Sequence, residues 1–266
     1  MFSLVGLPDA AIREAKERVR SAVLSSGYRF PSGRLTVNLA PADIPKAGSA
    51  YDLPIALGIL AAAGLVPPGV AGVVALGELA LDGSLRPARG GLGAGMVAAR
   101  SGLPCLLPPG SAAEASLVER AEVRVVTSLA EAVAVALGEV SPQPVPQSVI
   151  SVEAADADLG SVRGQSVARR ALEVAAAGGH HLLMIGPPGA GKTMLARCLP
   201  GILPRLTGDE TLEVAQAWAA AGRSRPDPGR PPFRSPHHTA TPAAIVGGGS
   251  GVPVPGELTL AQGSVC

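Results

Sequence analysis

Aromatic side chains are scarce in this chain of 266 residues: one Trp, two Tyr and three Phe, 2% of the whole. Any core must therefore be filled by Ala, Val and Leu, and a hydrophobic content of 47% supplies enough of them for a sizeable one. Cysteine is scarce as well. Cys105, Cys198 and Cys266 are odd in number and far apart, which excludes a disulfide framework and zinc-type spacing and fits a reducing cytosol. No apolar run reaches the roughly 18 residues that a membrane span needs. The first residues, Met1 to Gly6, lack the basic and apolar regions of a signal peptide, so the expected location is cytoplasmic. An excess of one charge is missing too: 22 basic against 21 acidic residues leave +1, and no chain-wide field argues for a nucleic acid partner.

Glycine and proline, by contrast, are abundant, and they meet in the most informative segment. Gly186-Pro187-Pro188-Gly189-Ala190-Gly191-Lys192-Thr193 fits G-x-x-x-x-G-K-[ST], the phosphate-binding loop. His181-Leu182-Leu183-Met184-Ile185 leads in as a predicted buried strand, and Met194 to Leu199 leads out as a predicted helix. A strand, a glycine turn and a helix N-terminus aim several backbone N–H groups at one point, where they bind polyphosphate. Glycine lets the phosphates approach and permits backbone angles closed to other residues. Lys192 is expected to reach the β and γ phosphates of ATP, and the Thr193 hydroxyl to ligate Mg²⁺.

Two α/β regions flank a change in composition. In residues 1–138, Asp9 to Ser26 reads as a helix with Ile12, Ala15, Val19, Ala22 and Val23 on one face. Arg34 to Leu39 alternates like a strand, and Leu53 to Ala63 is an apolar helix. Val73 to Leu81 and Ser84 to Arg86 form a predicted hairpin around Asp82-Gly83. Helices over Gly93–Arg100, Ala112–Glu119 and Ser128–Leu137 alternate with short strands at Leu103–Leu107 and Val123–Val126. Residues 139–157, with Pro142, Pro144 and Pro146, read as an extended linker. Residues 158–266 open with a helix over Gln165–Ala177, continue through the phosphate loop and carry a further helix over Glu210–Ala221. Beyond it, Gly247 to Gly251 reads as a flexible run and Glu257 to Cys266 as a strand or turn. The acids after Thr193 are Asp209, Glu210, Glu213, Asp227 and Glu257. None closes an apolar strand, where such ATPases keep the acid that holds Mg²⁺ and polarises water. Nucleotide binding is expected here, and hydrolysis lacks an evident residue.

Several segments together resemble the magnesium-chelatase-like AAA+ ATPases of the ComM/YifB type. In the first region these are Val5-Gly6-Leu7-Pro8-Asp9, Val37 to Asp43, Tyr51 to Gly58, Gly77-Glu78-Leu79 and Asp82 to Pro87. In the second they are Gly164-Gln165, Ala175 to His180, the phosphate loop, Leu199 to Pro204, Pro236-His237-His238, Gly247-Gly248-Gly249 and Pro255-Gly256-Glu257. The resemblance implies a Lon-protease-like, non-catalytic βα domain over 1–138 and the N-terminal part of a P-loop AAA+ module over 158–266. It implies ATP and Mg²⁺ as ligands, Gly164 and Gln165 beside the adenine, hexameric full-length relatives, and a DNA motor driving branch migration in DNA uptake and recombination. The family's first strands, acidic strand, sensors and arginine finger have no counterpart in these residues, so the chain is expected to be a fragment shortened at both ends. Two alternatives stay open: a nucleotide-binding remnant without hydrolysis, and a magnesium-chelatase subunit, against which the Lon-like region argues.

Other chemistry is weaker. By the resemblance to Lon, a protease nucleophile position falls on Ala50, with Ser49 one residue off, and Arg89 to Gly95 holds no Lys to act as base. Gly93-Ala94-Gly95-Met96-Val97-Ala98 fits G-x-G-x-x-A, but no buried strand precedes it, and helix packing accounts for it better. His237-His238 lacks partners at metal-ligand spacing. Arg223, Arg225, Arg230 and Arg234 share a Pro-rich loop, suited to a DNA backbone or to ion pairs.

Overall fold

The computed structural model describes residues 2–43, 46, 48–146, 158–223, 227–249, 253–263 and 265. The linker's 147–157, Arg225, Ser250–Gly251 and Cys266 lie outside them. The chain is mixed α/β with parallel sheets and divides into two units, 1–147 and 148–266.

The first unit runs β1 (Phe2–Val5), α1 (Ala10–Ser25), β2 (Leu35–Asn38), α2 (Asp52–Ala62), β3 (Val74–Ala75), β4 (Glu78–Leu79), β5 (Leu85–Arg86), α3 (Gly91–Ser101), β6 (Cys105–Leu107), α4 (Pro109–Ala115), β7 (Val123–Val125) and α5 (Leu129–Ala136). Asp9 starts α1 by accepting the Ile12 N–H at 2.8 Å. The face expected from periodicity is the buried one, with Ile12, Ala15, Val19, Ala22 and Val23 all at 1% exposure or less. Helix α2 is apolar almost all round and lies in the middle of the core, where Leu53, Ile55, Ala56, Leu57, Ile59 and Leu60 are buried. β1 and β2 pair in parallel, as do β3, β6 and β7 in the order β3-β6-β7. Ser128 caps α5 and Gly138 follows it in the left-handed region.

The expected long hairpin over 73–86 is divided in two. Val74–Ala75 joins the parallel sheet, and only Glu78–Leu79 pairs with Leu85–Arg86 across Asp82-Gly83. Gly77 is the break. Its N–H donates to Ala50 and its carbonyl accepts from Leu53, which ties it to the start of α2. The G-x-G-x-x-A segment lies in α3 and serves packing: a Cβ on Gly95 would sit 2.9 Å from the Ala115 carbonyl, and one on Gly91 2.2 Å from that of Ser111. Here α3 and α4 touch backbone to backbone, which only glycine allows.

One ion pair crosses this core. Asp52, at 0% exposure, accepts Arg18 Nε at 2.7 Å and Nη2 at 3.1 Å, with the Leu79 N–H at 3.2 Å as a third donor. Burial pushes the Asp52 carboxyl above its ordinary range, and Arg18 pulls against that.

The second unit runs α6 (Ser166–Gly178), α7 (Lys192–Ile202), α8 (Gly208–Ala220), α9 (Pro242–Val246), β8 (Gly247–Gly248), β9 (Val254–Pro255) and α10 (Glu257–Leu260). α8 carries a full capping box, Thr207 with Glu210. Two expectations are narrowed. At its start the glycine run is packed: Gly247–Gly248 forms β8, which pairs antiparallel with β9, and a Cβ on Gly256 would lie 2.3 Å from the Gly247 nitrogen. Glu257–Leu260 is a helical turn, closed by Leu260 N–H to the Gly256 carbonyl at 3.0 Å.

Among the described residues, no helix is long and apolar enough to cross a membrane.

Candidate functional site

The loop 186–193 is carried by two helices. α6 and α7 pack through Leu172, Leu195 and Cys198, all at 2% exposure or less, and Leu159 and Val162 close the cluster. Met184, Ala168, Leu199 and Ile202 lie half-buried against it. Leu195, Cys198, Leu199 and Ile202 of α7, at i, i+3, i+4 and i+7, thus face the cluster with α6, and this fixes the direction in which the α7 N-terminus points.

The lead-in segment departs from expectation. Residues 181–185 form no strand among the described residues, and Leu183 and Ile185 are 82% and 88% exposed. A strand exists only through its ladder to a neighbour, and none of the described strands pairs with this segment. Met184 alone anchors it to the cluster.

The loop itself has the geometry expected of an anion cradle. Gly189 and Gly191 sit at φ 79° and 78°, the left-handed region where glycine is favoured. Gly186 has an ordinary φ and open space around it, so the backbone conformation does not require glycine there. Gly191 is the N-cap of α7 and no side chain caps the helix. The first amides of α7 therefore have no acceptor within the helix, and the positive end of its dipole faces the loop. Lys192 folds back across the loop and donates from Nζ to the carbonyls of Gly186 and Pro187, each at 2.8 Å. Thr193 follows in the first turn and is exposed.

Gly164 and Gln165, separated from the loop by more than twenty residues of sequence, are brought to it. Both take left-handed backbone angles, φ 69° and 53°. Gln165 is the N-cap of α6, and its side-chain amide donates to the Ala190 carbonyl at 3.0 Å. The contact to the loop was not legible in the sequence, since no spacing rule links the two positions.

Four of the five acids after Thr193, all but Asp209, are engaged elsewhere. Glu257 takes both Arg234 nitrogens, Nη2 at 2.6 Å, and the hydrogen bond from Arg234 holds its carboxyl below the usual range. Arg234 also lies over the Trp218 ring at 5.5 Å, and the indole N–H donates to Leu260 at 2.9 Å. Asp227 accepts from Arg205 at 2.6 Å, Glu210 caps α8, and Glu213 accepts from Gln262 at 3.0 Å. Asp227 and Arg234 of the Pro-rich loop are therefore held in ion pairs. The rings of His237 and His238 stack at 4.2 Å, with His237 Nδ1 2.7 Å from the Thr239 hydroxyl. In the first unit the Ser49 hydroxyl bonds to Glu78 and the buried Lys46 ammonium to the Pro41 carbonyl, so the two do not form a dyad.

Comparison with known proteins matches both units. Residues 158–266 match the family described as magnesium chelatase, subunit ChlI, and residues 1–111 the family described as subunit ChlI of Mg-chelatase. An uncharacterized protein of Mycobacterium tuberculosis is 46% identical over 267 residues, covering 98% of this chain and 53% of the relative. YifB of Escherichia coli is 41% identical over 268 residues, 99% of this chain and 53% of the relative. The competence protein ComM of Haemophilus influenzae is 40% identical over 272 residues, again 99% and 53%. The chain spans about half the length of these curated relatives. Matched in both units and over nearly all of its length, it belongs to the magnesium-chelatase-like family that includes YifB and ComM.

Proposed function

We propose that the second unit binds Mg·ATP through Gly186, Pro187, Pro188, Gly189, Ala190, Gly191, Lys192 and Thr193. The observation that carries this reading is the coincidence at one point of two left-handed glycines, an uncapped helix N-terminus and an ammonium group. Backbone amides would take the phosphate oxygens, as they do wherever a helix N-terminus meets an anion. Lys192 would exchange its two carbonyl partners for the β and γ phosphates, and Thr193 would supply a hydroxyl to Mg²⁺. The metal would bridge phosphate oxygens and neutralise their charge. Gly164 and Gln165 border the same loop from the side where the family resemblance puts the adenine.

The engagement of Asp227, Glu257, Glu210 and Glu213 in ion pairs, caps and side-chain bonds favours binding without hydrolysis by these residues. The family resemblance extends this reading to an ATP-driven role in DNA processing, with hexamers in the full-length relatives, and the name of one relative, a competence protein, is in keeping with the DNA part of it. Both family descriptions leave a chelatase role as the second reading, and the identity of 40–41% to YifB and ComM over nearly the whole chain weighs toward the first.

Lys192→Ala is expected to abolish binding of a fluorescent ATP analogue in the presence of Mg²⁺, with the thermal midpoint unchanged. Equal affinity in wild type and variant would refute the assignment. A phosphate-release assay on the wild type separates binding from turnover.

A further inference from the structure

The peptide between Ala190 and Gly191 is the hinge of the cradle. Its carbonyl and its N–H point in opposite directions, because the peptide is trans. Gly191, on one flank of this peptide, sits at φ 78°, and glycine there makes its rotation easy. In one orientation the Gly191 N–H faces the cradle. In the other the Ala190 carbonyl does, and a carbonyl oxygen repels a phosphate.

One side chain selects between them. The Gln165 amide donates to the Ala190 carbonyl at 3.0 Å and thereby holds the Gly191 N–H on the opposite side. Gln165 does this from a left-handed backbone, φ 53° and ψ 34°, which a residue with a Cβ adopts only where its surroundings hold it there. Gly164 before it, at φ 69°, lets the chain make two left-handed steps in succession. α6 fixes the position: its first backbone bond, Arg169 N–H to the Gln165 carbonyl at 2.9 Å, anchors the residue to a helix that packs on α7. Lys192 draws the Gly186 and Pro187 carbonyls to itself at the other end of the loop.

The geometry points to Gln165 as a positioning residue that locks the phosphate loop in its amide-donating orientation, acting through Ala190 rather than by touching the base. This rests on the Mg·ATP reading above. It predicts that the benefit of Gln165 belongs to the phosphates, whatever is attached to them.

The test uses the full chain, a fluorescent ATP analogue with Mg²⁺, and competition by tripolyphosphate, which has no base or sugar. Gln165→Gly removes the side chain while suiting the left-handed backbone, so it folds at least as well as the wild type. It is expected to weaken the ATP analogue and tripolyphosphate by the same factor, about fivefold, the worth of one neutral hydrogen bond. Gln165→Glu places an acceptor against the Ala190 carbonyl and is expected to weaken both by about tenfold or more. A loss for the ATP analogue with tripolyphosphate unchanged would overturn the inference, because the side chain then serves the base. Unchanged affinity for both ligands would overturn it too. A wild type that binds neither ligand would sink the phosphate-loop reading itself, and the inference with it.

Discussion

The two units are held together in different ways. In the first, a helix buried almost all round, α2, organises a cluster of nineteen buried residues, with a second cluster of seven under α3 and α4. In the second, the buried cluster has five residues, and Val167, Leu183 and Ile185 stand more than 80% exposed. Yet it is the second unit that carries the recognisable site. Its cradle is built locally, from two glycine conformations, one helix start and one side chain reaching from α6. A fold set by burial and a site set by backbone geometry are separable, and this chain shows both.

Five substitutions sharpen that contrast. The largest effect is expected where burial is deepest. Arg18→Ala leaves the Asp52 carboxylate buried without its cation and should cost the first unit about 3–5 kcal/mol in urea unfolding. A loss below 1 kcal/mol would mean that water reaches Asp52. Next comes Leu172→Ala, which opens the small cluster between α6 and α7 and should cost about 2–4 kcal/mol. Two buried thiols report on the units separately. Burial raises the Cys105 thiol to about 12, so it reacts only when the first unit opens, and Cys198 reports on α7. In a Cys266→Ser background, Leu172→Ala should speed alkylation of Cys198 and leave Cys105 unchanged. Equal acceleration of both would show the units to be energetically coupled.

Smaller effects concern pH. Glu257 is held below the ordinary carboxylate range by its Arg234 bond. Its contribution is therefore present above the unfolded value, near pH ~4.3, and is lost as pH falls through the lower native value. Glu257→Gln should cost about 1 kcal/mol at neutral pH and nothing in acid. Glu114 in α4 has the opposite sign, because burial raises its carboxyl. Its contribution is complete below the unfolded value and declines as pH rises through the native one. Glu114→Gln should thus raise the stability of the first unit at neutral pH and have no effect in acid. Chemical denaturation at the two pH values checks both signs. The smallest effect is expected of Leu183→Lys, within about 0.5 kcal/mol, since the side chain it replaces is already 82% exposed. A large loss would show that the segment is covered in solution.

Much of the first unit was legible in the sequence because its signals are periodic. The buried face of α1 follows from the spacing of Ile12, Ala15, Val19, Ala22 and Val23, and the Ser128 cap and Gly138 stop of α5 follow from residue chemistry. The misreadings share a cause. Val73 to Leu81 reads as one strand because apolar runs do not reveal which neighbour pairs with them, and Gly77 divides the run through bonds to residues 50 and 53. Residues 181–185 read as a buried strand for the same reason. The glycine run at 247–251 reads as flexible, although at Gly247 the close approach of Gly256 is what demands glycine. In the site, the loop was legible from its spacing, because each position has a local reason. The hydrogen bond from Gln165 to Ala190 was not, because it joins two turns that only the packing of α6 on α7 brings together.

The indole at Trp218 has an optical consequence. It is the only tryptophan in the chain, and both tyrosines, Tyr28 and Tyr51, belong to the first unit. Light absorbed by indole alone therefore observes the second unit, from a ring beneath the Arg234 guanidinium, while phenol emission observes the first. One unlabelled sample holds two independent spectroscopic channels, one for each unit.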